Sequence, residues 1–598
     1  MTVDSGLRAR RAGGAAAAVI AAVVLGAALL SPGLGRAPFD DPGEGQHAEI
    51  AREIHLPAGW LSLRLNGVRY YDKPPLLYWL VAASFALFGQ GEAAARLVPL
   101  AGALCAAAAT AWLGARLLGA AWGLAAAGAL YSSVLFAVFS RYVRPETLFV
   151  GFIQWGFTGL LLGALAPAGS RARQRWLIAG CACLGLASIA KDPLGLIGPL
   201  VAVAAALWLG GRLDAQTARL PAAGIAVLLA VGFSWYLAAA IANRGFAWYA
   251  LVDNHILNLV ERRWFPDEDV PLSTVEFLAV AALGAFPWTI AAALEVAALA
   301  RRRAWRQPAE LPWVALAVWM VALVAFFAAA PFKLPHYGLP VYPAVALLAV
   351  RHWASTKRPR GLIAIHLAVL MGLTAGAIAV AASDGRAFTD QMFSATDVYT
   401  RKESTVGQTS PLPAWSSLRP LLEHAVLIFA AGSAALAAAL WRRAAGLGLA
   451  AVVATMLALM PEVTAGAALV ASGRAVATLA ADLRRAMRPG DLLVHEGPIE
   501  NSGAIEFYAG RRPVLLEAKK SVLGMGATFP DAADTFWDPP ALARAWASER
   551  RVFLVTTRVP DKSVVGRLPA ERVHLLESRN GRWLYSNVPA QRVGASPR

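Results

Sequence analysis

Runs of about 20 apolar residues recur along this chain from Gly13 to Val470, and one such run is the length a helix needs to cross the hydrocarbon of a bilayer. The runs are continuous and rich in Ala, Leu and Gly, without the two-residue alternation of a barrel strand, so they predict helices. With 58% hydrophobic and 16% charged residues among 598, the chain has too little polar surface to clothe soluble domains of that size. A polytopic α-helical membrane protein is expected.

Basic clusters in short loops mark the inner side of a membrane, and here they fall at residues 8–11, 171–175, 212, 301–306, 351–360 and 441–443. Thirteen spans put every cluster on one side: near 13–32, 94–117, 120–139, 147–167, 175–190, 194–210, 219–241, 273–299, 312–330, 337–350, 361–382, 420–440 and 446–470. The first is an uncleaved span, since charged, amphipathic sequence follows it. The threading requires Pro74–Gly89 to lie at the interface, because crossing would reverse everything after it. In this setting the net charge of +17 reads as topology signal, and no nucleic-acid partner is expected. Cys105, Cys181 and Cys183 lie within apolar runs, without a disulfide framework or zinc spacing.

The outward segments are then Pro32–Arg96, Ser140–Glu146, Asn243–Leu272, Pro331–Pro335 and Ser383–Arg419, with the turn Lys191–Pro193. Residues 1–471 form the membrane domain, and residues 472–598 a small α/β domain outside the membrane. In that tail Arg474–Met487 has the pattern of an amphipathic helix. Leu492–Glu496, Pro513–Glu517 and Arg551–Thr557 read as strands, with helical patterns at Ala504–Gly510 and Pro540–Glu549. Asn580-Gly581 reads as a hairpin turn.

Charged groups beside a membrane are costly and mark working parts. They crowd the outward segments: Glu44, Glu49, Arg52 and Glu53, then Asp72 and Lys73, Arg141, Arg144 and Glu146, Lys191 and Asp192, His255, Arg262 and Arg263, and Lys333 with His336. Several have plain structural readings, such as helical ion pairs for Glu49, Arg52 and Glu53. Together they supply what an outward cavity needs for an anionic head group, a divalent cation and a proton acceptor: basic side chains for phosphate, carboxylates to take a proton, and acid with histidine for a metal.

The segments EGQHAEIAREI, YYDKPPLLYW, SRYVRPETLF, AKDPLGL, DNHI and KLPHYGLPVYP, in that order between Glu44 and Pro343, resemble the membrane glycosyltransferases of the GT-C fold that use polyprenyl-phosphate-linked sugars. The likeness is greatest to the bacterial branch containing lipid A aminoarabinose transferases, with protein O-mannosyltransferases more distant. It implies an inverting transfer from a polyprenyl-phosphate sugar to a glycolipid, polysaccharide or protein, on the periplasmic face of the bacterial cytoplasmic membrane. It also implies a lipid-phosphate site at Lys73, with Lys191, Arg262, Arg263 and Tyr337, a divalent metal at Asp72 and His255, and a catalytic acid group at Glu146.

The chain departs from the family at one telling point. Where the family has an Asp-Glu pair, this chain has Gly43-Glu44, and glycine accepts no proton. Glu44 or Asp41 is then the expected base, unless activity is altered. The family's Lys-Gly-Pro turn is Lys191-Asp192-Pro193, and the Arg three residues beyond the histidine is Asn258. A transporter or flippase of lipid-linked sugars, or an inactive scaffold, is the competing expectation; charges on both membrane halves and repeated broken helices would favour transport.

Overall fold

The computed structural model describes residues 2–54, 59–214, 216–389 and 412–589. Because hydrocarbon offers no partner to a backbone N–H or C=O, the apolar runs close their hydrogen bonds internally as helices. Among the described residues, eight helices are long and apolar enough to cross a membrane, beginning at Gly13, Glu92, Glu146, Ala222, Pro308, Pro359, Trp415 and Ala445. A ninth is possible if Thr274–Gly284 and Trp288–Arg301, bent by 103° across their break, make one span.

Eight of the thirteen expected spans thus hold a helix of full crossing length among the described residues, and the others are shorter, broken or opened by charge, each for a local cause. The run expected at 120–139 is split into Ala120–Tyr131 and Val134–Phe139 around Ser132 and Ser133. The hydroxyls of both serines bond back to carbonyls of the preceding turn, an alternative that competes with continuation of the helix. Arg171–Ala190 opens on three arginines, while Pro193–Leu209 and Tyr342–Ser355 are short. Within Pro74–Gly89, for which an interfacial position is expected, the helix Leu76–Phe88 has 13 residues, a rise of about 20 Å against roughly 30 Å of hydrocarbon.

Small residues let the bundle pack closely. Helix Glu92–Leu118 buries Ala103, Ala106, Ala107 and Ala111 in the main core with Tyr131, Trp288, Tyr342 and Trp353. At one end of the bundle, Arg351 bridges Glu295 at 2.8 Å and Glu310 at 2.6 Å, and Arg302 joins the same two acids. The basic clusters at 301–306 and 351–360 thus meet at one end, as the threading required.

The outward segments gather at the other end. β1 (Arg64–Leu65) and β2 (Val68–Arg69) form a hairpin. The tail folds into a six-stranded sheet of order β5-β4-β3-β6-β8-β7, where β3 is Leu492–Glu496, β4 Val514–Leu516, β5 Phe536–Trp537, β6 Val552–Thr556, β7 His574–Arg579 and β8 Arg582–Ser586. The first four neighbours pair in parallel, and β8 and β7 are antiparallel across Asn580-Gly581, both with positive φ as the hairpin turn demands. β3 and β6 are buried on both faces, because side chains alternate across a strand. Leu492, Val494, Val552 and Leu554 face one core with Trp546. Leu493, Phe553 and Val555 face a second core shared with Phe39, Ile50, Leu77 and Val81 of the first outward segment. Sheet and first outer loop are therefore one packed body. Of the segment Ser383–Arg419, residues 390–411 lie outside the described residues.

Candidate functional site

Two charged clusters meet where the outward loops converge. In the first, Lys73 Nζ donates to Asp72 Oδ2 at 2.6 Å. Arg263, only 8% exposed, reaches Asp72 at 4.0 Å, Asp253 at 3.5 Å and Asp267 at 2.8 Å. Asn254, on the π-helical segment Tyr249–Leu257, donates to the Asp72 carbonyl. Burial would raise the Asp72 carboxyl, but Lys73 and Arg263 hold it below the usual carboxylate range. Arg262, next in sequence to Arg263, is exposed, so of the two only Arg263 enters the cluster.

In the second cluster, Glu146 is 1% exposed and faces Arg144 at 3.7 Å, Lys191 at 3.5 Å and His336 at 3.4 Å. Neither of its oxygens has a hydrogen-bond partner among the described residues. Lys191 lies 5.5 Å from the ring centres of Phe149 and Tyr337, a cation–π seat. Burial lowers the Lys191 ammonium, with Glu146 opposing and Lys73 and Arg144 adding to the fall. His336 is pushed well below its ordinary value by burial. His47, whose Nδ1 lies 2.9 Å from the Tyr78 hydroxyl, is lowered to about 3, first by burial and then by Arg144. Both imidazoles are neutral at pH 7. The fields of Lys73, Arg144, Asp72 and Glu146 all reach His47, so the two clusters are one electrostatic unit.

The remaining expected residues are held elsewhere. Glu44 is clasped by Arg96 and accepts the backbone N–H groups of Asp40 and Val143. Asp41 accepts the backbone N–H groups of Val476 and Ala504 and lies 3.8 Å from Arg582, which makes it a joint to the sheet. Lys333 donates to the Ala330 carbonyl at 2.7 Å, where it closes a helix end. Arg144 and His336 carried no assigned role in the sequence reading; their signal was their place in the SRYVRPETLF and KLPHYGLPVYP segments.

The expected metal pair does not fit a cation as it stands. His255 Nε2 lies 3.2 Å from Asp192. Burial would lower this imidazole, but Asp192 pushes it up towards its protonated, non-ligating form. Asp72 is taken by Lys73 and Arg263. The only carboxylate trio close enough to share a cation among the described residues is Glu49, Glu53 and Glu506, which Arg52 and Arg512 neutralise.

Beside the second cluster opens a cavity of about 590 Å³, walled mainly by apolar side chains such as Leu421, Leu422 and Val463, with Asp40, Glu44, Arg96, Tyr142, Arg144 and His336 among its polar lining.

A family model described as dolichyl-phosphate-mannose-protein mannosyltransferase matches residues 72–237. An undecaprenyl phosphate-alpha-4-amino-4-deoxy-L-arabinose arabinosyl transferase of Pseudomonas aeruginosa is 28% identical over 346 residues, 57% of this chain and 60% of that protein. The chain thus matches about three-fifths of that relative's length. The fold superposes on ArnT from Cupriavidus metallidurans in the apo state, with a TM-score of 0.74 at 20% identity over 100% of both chains. It also superposes on ArnT from that organism bound to undecaprenyl phosphate, with a TM-score of 0.75 at 20% identity over 97% of this chain and 99% of that one. In fold over its whole length the chain is similar to these two ArnT structures, and in sequence, over residues 72–237, to the dolichyl-phosphate-mannose-protein mannosyltransferase model.

Proposed function

We propose that this protein transfers a sugar from a polyprenyl-phosphate donor to a glycolipid, polysaccharide or protein acceptor on the periplasmic face of the bacterial cytoplasmic membrane. The observation that carries the reading is the meeting of Lys73, Arg144, Lys191 and Arg263, from four separate loops, around buried carboxylates. Such a site suits a lipid-linked phosphate whose charge grows as it leaves. Lys73, Lys191, Arg144 and Arg263 take the phosphate, and the Tyr337 ring packs against Lys191. Glu146 is a counter-charge: its ion pairs with Lys191 and Arg144 are long, so it balances these cations while the donor is absent and yields them to the donor. The acceptor attacks the anomeric carbon from the cavity side, and the C–O bond to phosphate breaks with inversion. Residues 472–598 form the module that fixes the first outer loop. Arg262, exposed, has no part in the phosphate site.

Purified full-length protein incubated with a panel of radiolabelled polyprenyl-phosphate sugars and a membrane extract tests this. Label should move to the extract, and Lys73→Ala should raise the donor KM roughly tenfold or more. Absence of transfer from every donor overturns the reading.

A further inference from the structure

The first charged cluster is assembled from two elements far apart in the chain. Asp72 and Lys73 follow the hairpin of β1 and β2, while Asn254 and Arg263 lie beyond the helix Ala222–Ala242. That helix buries four residues, Gly224, Gly232, Trp235 and Ala239, so the placing of its outer end depends on ties beyond the bundle.

Asn243, 2% exposed, stands at that end. Its backbone N–H and its Nδ2 both donate to the Ala239 carbonyl, at 2.9 and 3.0 Å, which closes the helix. Its own carbonyl accepts the Phe246 N–H at 3.1 Å, where the chain turns into the π-helical segment. Its Oδ1 accepts two bonds from the other element, the Tyr71 hydroxyl at 2.8 Å and Arg69 Nη1 at 3.0 Å. Tyr71 immediately precedes Asp72. One amide group therefore joins the helix end on its nitrogen side to the strand leading into Asp72 and Lys73 on its oxygen side.

The sheet domain holds the same joint from outside. Asp531, between β4 and β5, accepts Arg69 Nε and Arg64 Nη2, each at 3.0 Å, and the Arg69 guanidinium lies 4.5 Å from the centre of the Phe529 ring. The planar fork of Arg69 thus spends one nitrogen on the tail and another on Asn243, a geometry that a lysine does not offer. Met525 and Phe529 pack with Tyr71, Phe246 and Tyr249, so apolar burial presses the same three pieces together.

Resting on the transferase reading above, we propose that Asn243 is a positioning residue for the donor: with Arg69, Tyr71 and Asp531 it sets Lys73 against Arg263 at the spacing a lipid phosphate needs. The two cations meet on Asp72, Lys73 at 2.6 Å and Arg263 at 4.0 Å, yet they come from different elements. A misplacement of about 1 Å in such groups costs about 10²-fold. Through Asp531 the sheet domain acts on donor binding as well as on the fold of the first outer loop.

The test uses the full-length protein with a polyprenyl-phosphate sugar shown to be a donor for the wild type, and refers rates to folded protein. Asn243→Ala should raise the donor KM and the inhibition constant of undecaprenyl phosphate together, roughly tenfold, with the acceptor KM within about twofold. Tyr71→Phe and Asp531→Ala, which each remove one tie, should raise the donor KM roughly threefold. In a Lys73→Ala background, Asn243→Ala should add about threefold or less, because changes acting through one group do not add. A residue that only holds the fold would give less folded protein, an unmoved donor KM and an effect that multiplies in full with Lys73→Ala. Either an Asn243→Ala donor KM within about twofold of wild type or full multiplication with Lys73→Ala overturns this proposal alone. If Asn243→Ala does not fold, an unmoved donor KM in both Tyr71→Phe and Asp531→Ala overturns it. A wild type that transfers from no donor overturns the transferase reading instead, and this one with it.

Discussion

Arg96 grips Glu44 with two hydrogen bonds, Nε to Oε1 at 2.9 Å and Nη2 to Oε2 at 2.6 Å, while its Nη1 holds the carbonyls of Leu34 and Ala37. Both side chains are buried. This is a planar fork matched to a carboxylate, and it folds the first outer segment back onto the helix that begins at Glu92. An acid this tightly paired holds structure and has no lone pair directed at a substrate.

Arg96→Ala strands the Glu44 charge, and breaking one partner of a buried pair costs about 3–5 kcal/mol. Melting in detergent should show that loss, and the double variant Arg96→Met, Glu44→Leu should recover part of it. Glu44→Gln should lose stability and activity together. A Glu44→Gln protein of wild-type stability without transfer would make Glu44 the base.

Glu146 leads to a different expectation. Its partners stand at 3.4–3.7 Å, and a carboxylate in that position competes with the donor phosphate for Lys191 and Arg144. Glu146→Gln removes the competitor, so donor and lipid-phosphate product should both bind more tightly, by roughly tenfold or about 1.4 kcal/mol. Steady-state kinetics would show KM and kcat falling together as product release slows, with a lower inhibition constant for undecaprenyl phosphate. A raised KM would count against this arrangement.

The contrast between Glu44 and Glu146 also shows where sequence is informative. Helices such as Glu146–Leu165 and strands such as Leu492–Glu496 were legible because their signal is local: a continuous apolar run, a buried pentapeptide, Asn580-Gly581 at a hairpin. The breaks at Ser132-Ser133 and between Gly284 and Trp288 were hidden, since averaged hydropathy smooths over a few residues of non-helical backbone. Arg262 and Arg263 are equivalent in sequence, and only the path of the loop after the π-helical segment sends one outward and the other to Asp72. That Tyr142 fills the space beside Gly43 joins residues far apart in the chain, a distance over which one sequence carries no contact signal.

The pairing of His255 with Asp192 and of Asp72 with Lys73 and Arg263 leads to a prediction about metal. Transfer in EDTA should equal transfer in magnesium or manganese within about twofold, because Lys73 and Arg263 already hold Asp72 and Asp192 already holds the His255 Nε2. Asp192→Gly should release His255 and create measurable zinc or manganese binding by titration calorimetry. Activity lost in EDTA and restored by a divalent cation would show that donor binding rearranges these pairs.

Asp41 sets the last expectation, because burial pushes its carboxyl up to about 6 against the pull of Arg582. In the unfolded chain the same group ionises near its ordinary 3.8. Between those values the folded protein keeps a proton that the unfolded chain has released, so stability from this group is present below about pH 4, declines as pH rises to about 6 and is level above that. A shift of this size corresponds to about 3 kcal/mol. The melting temperature of wild type relative to Asp41→Asn should therefore fall between pH 4 and pH 6.5, since the variant lacks the titrating group and retains the other ionisable residues. A difference independent of pH would mean that the joint between the first outer loop and the sheet carries its aspartate fully charged, with Arg582 as its true counter-ion.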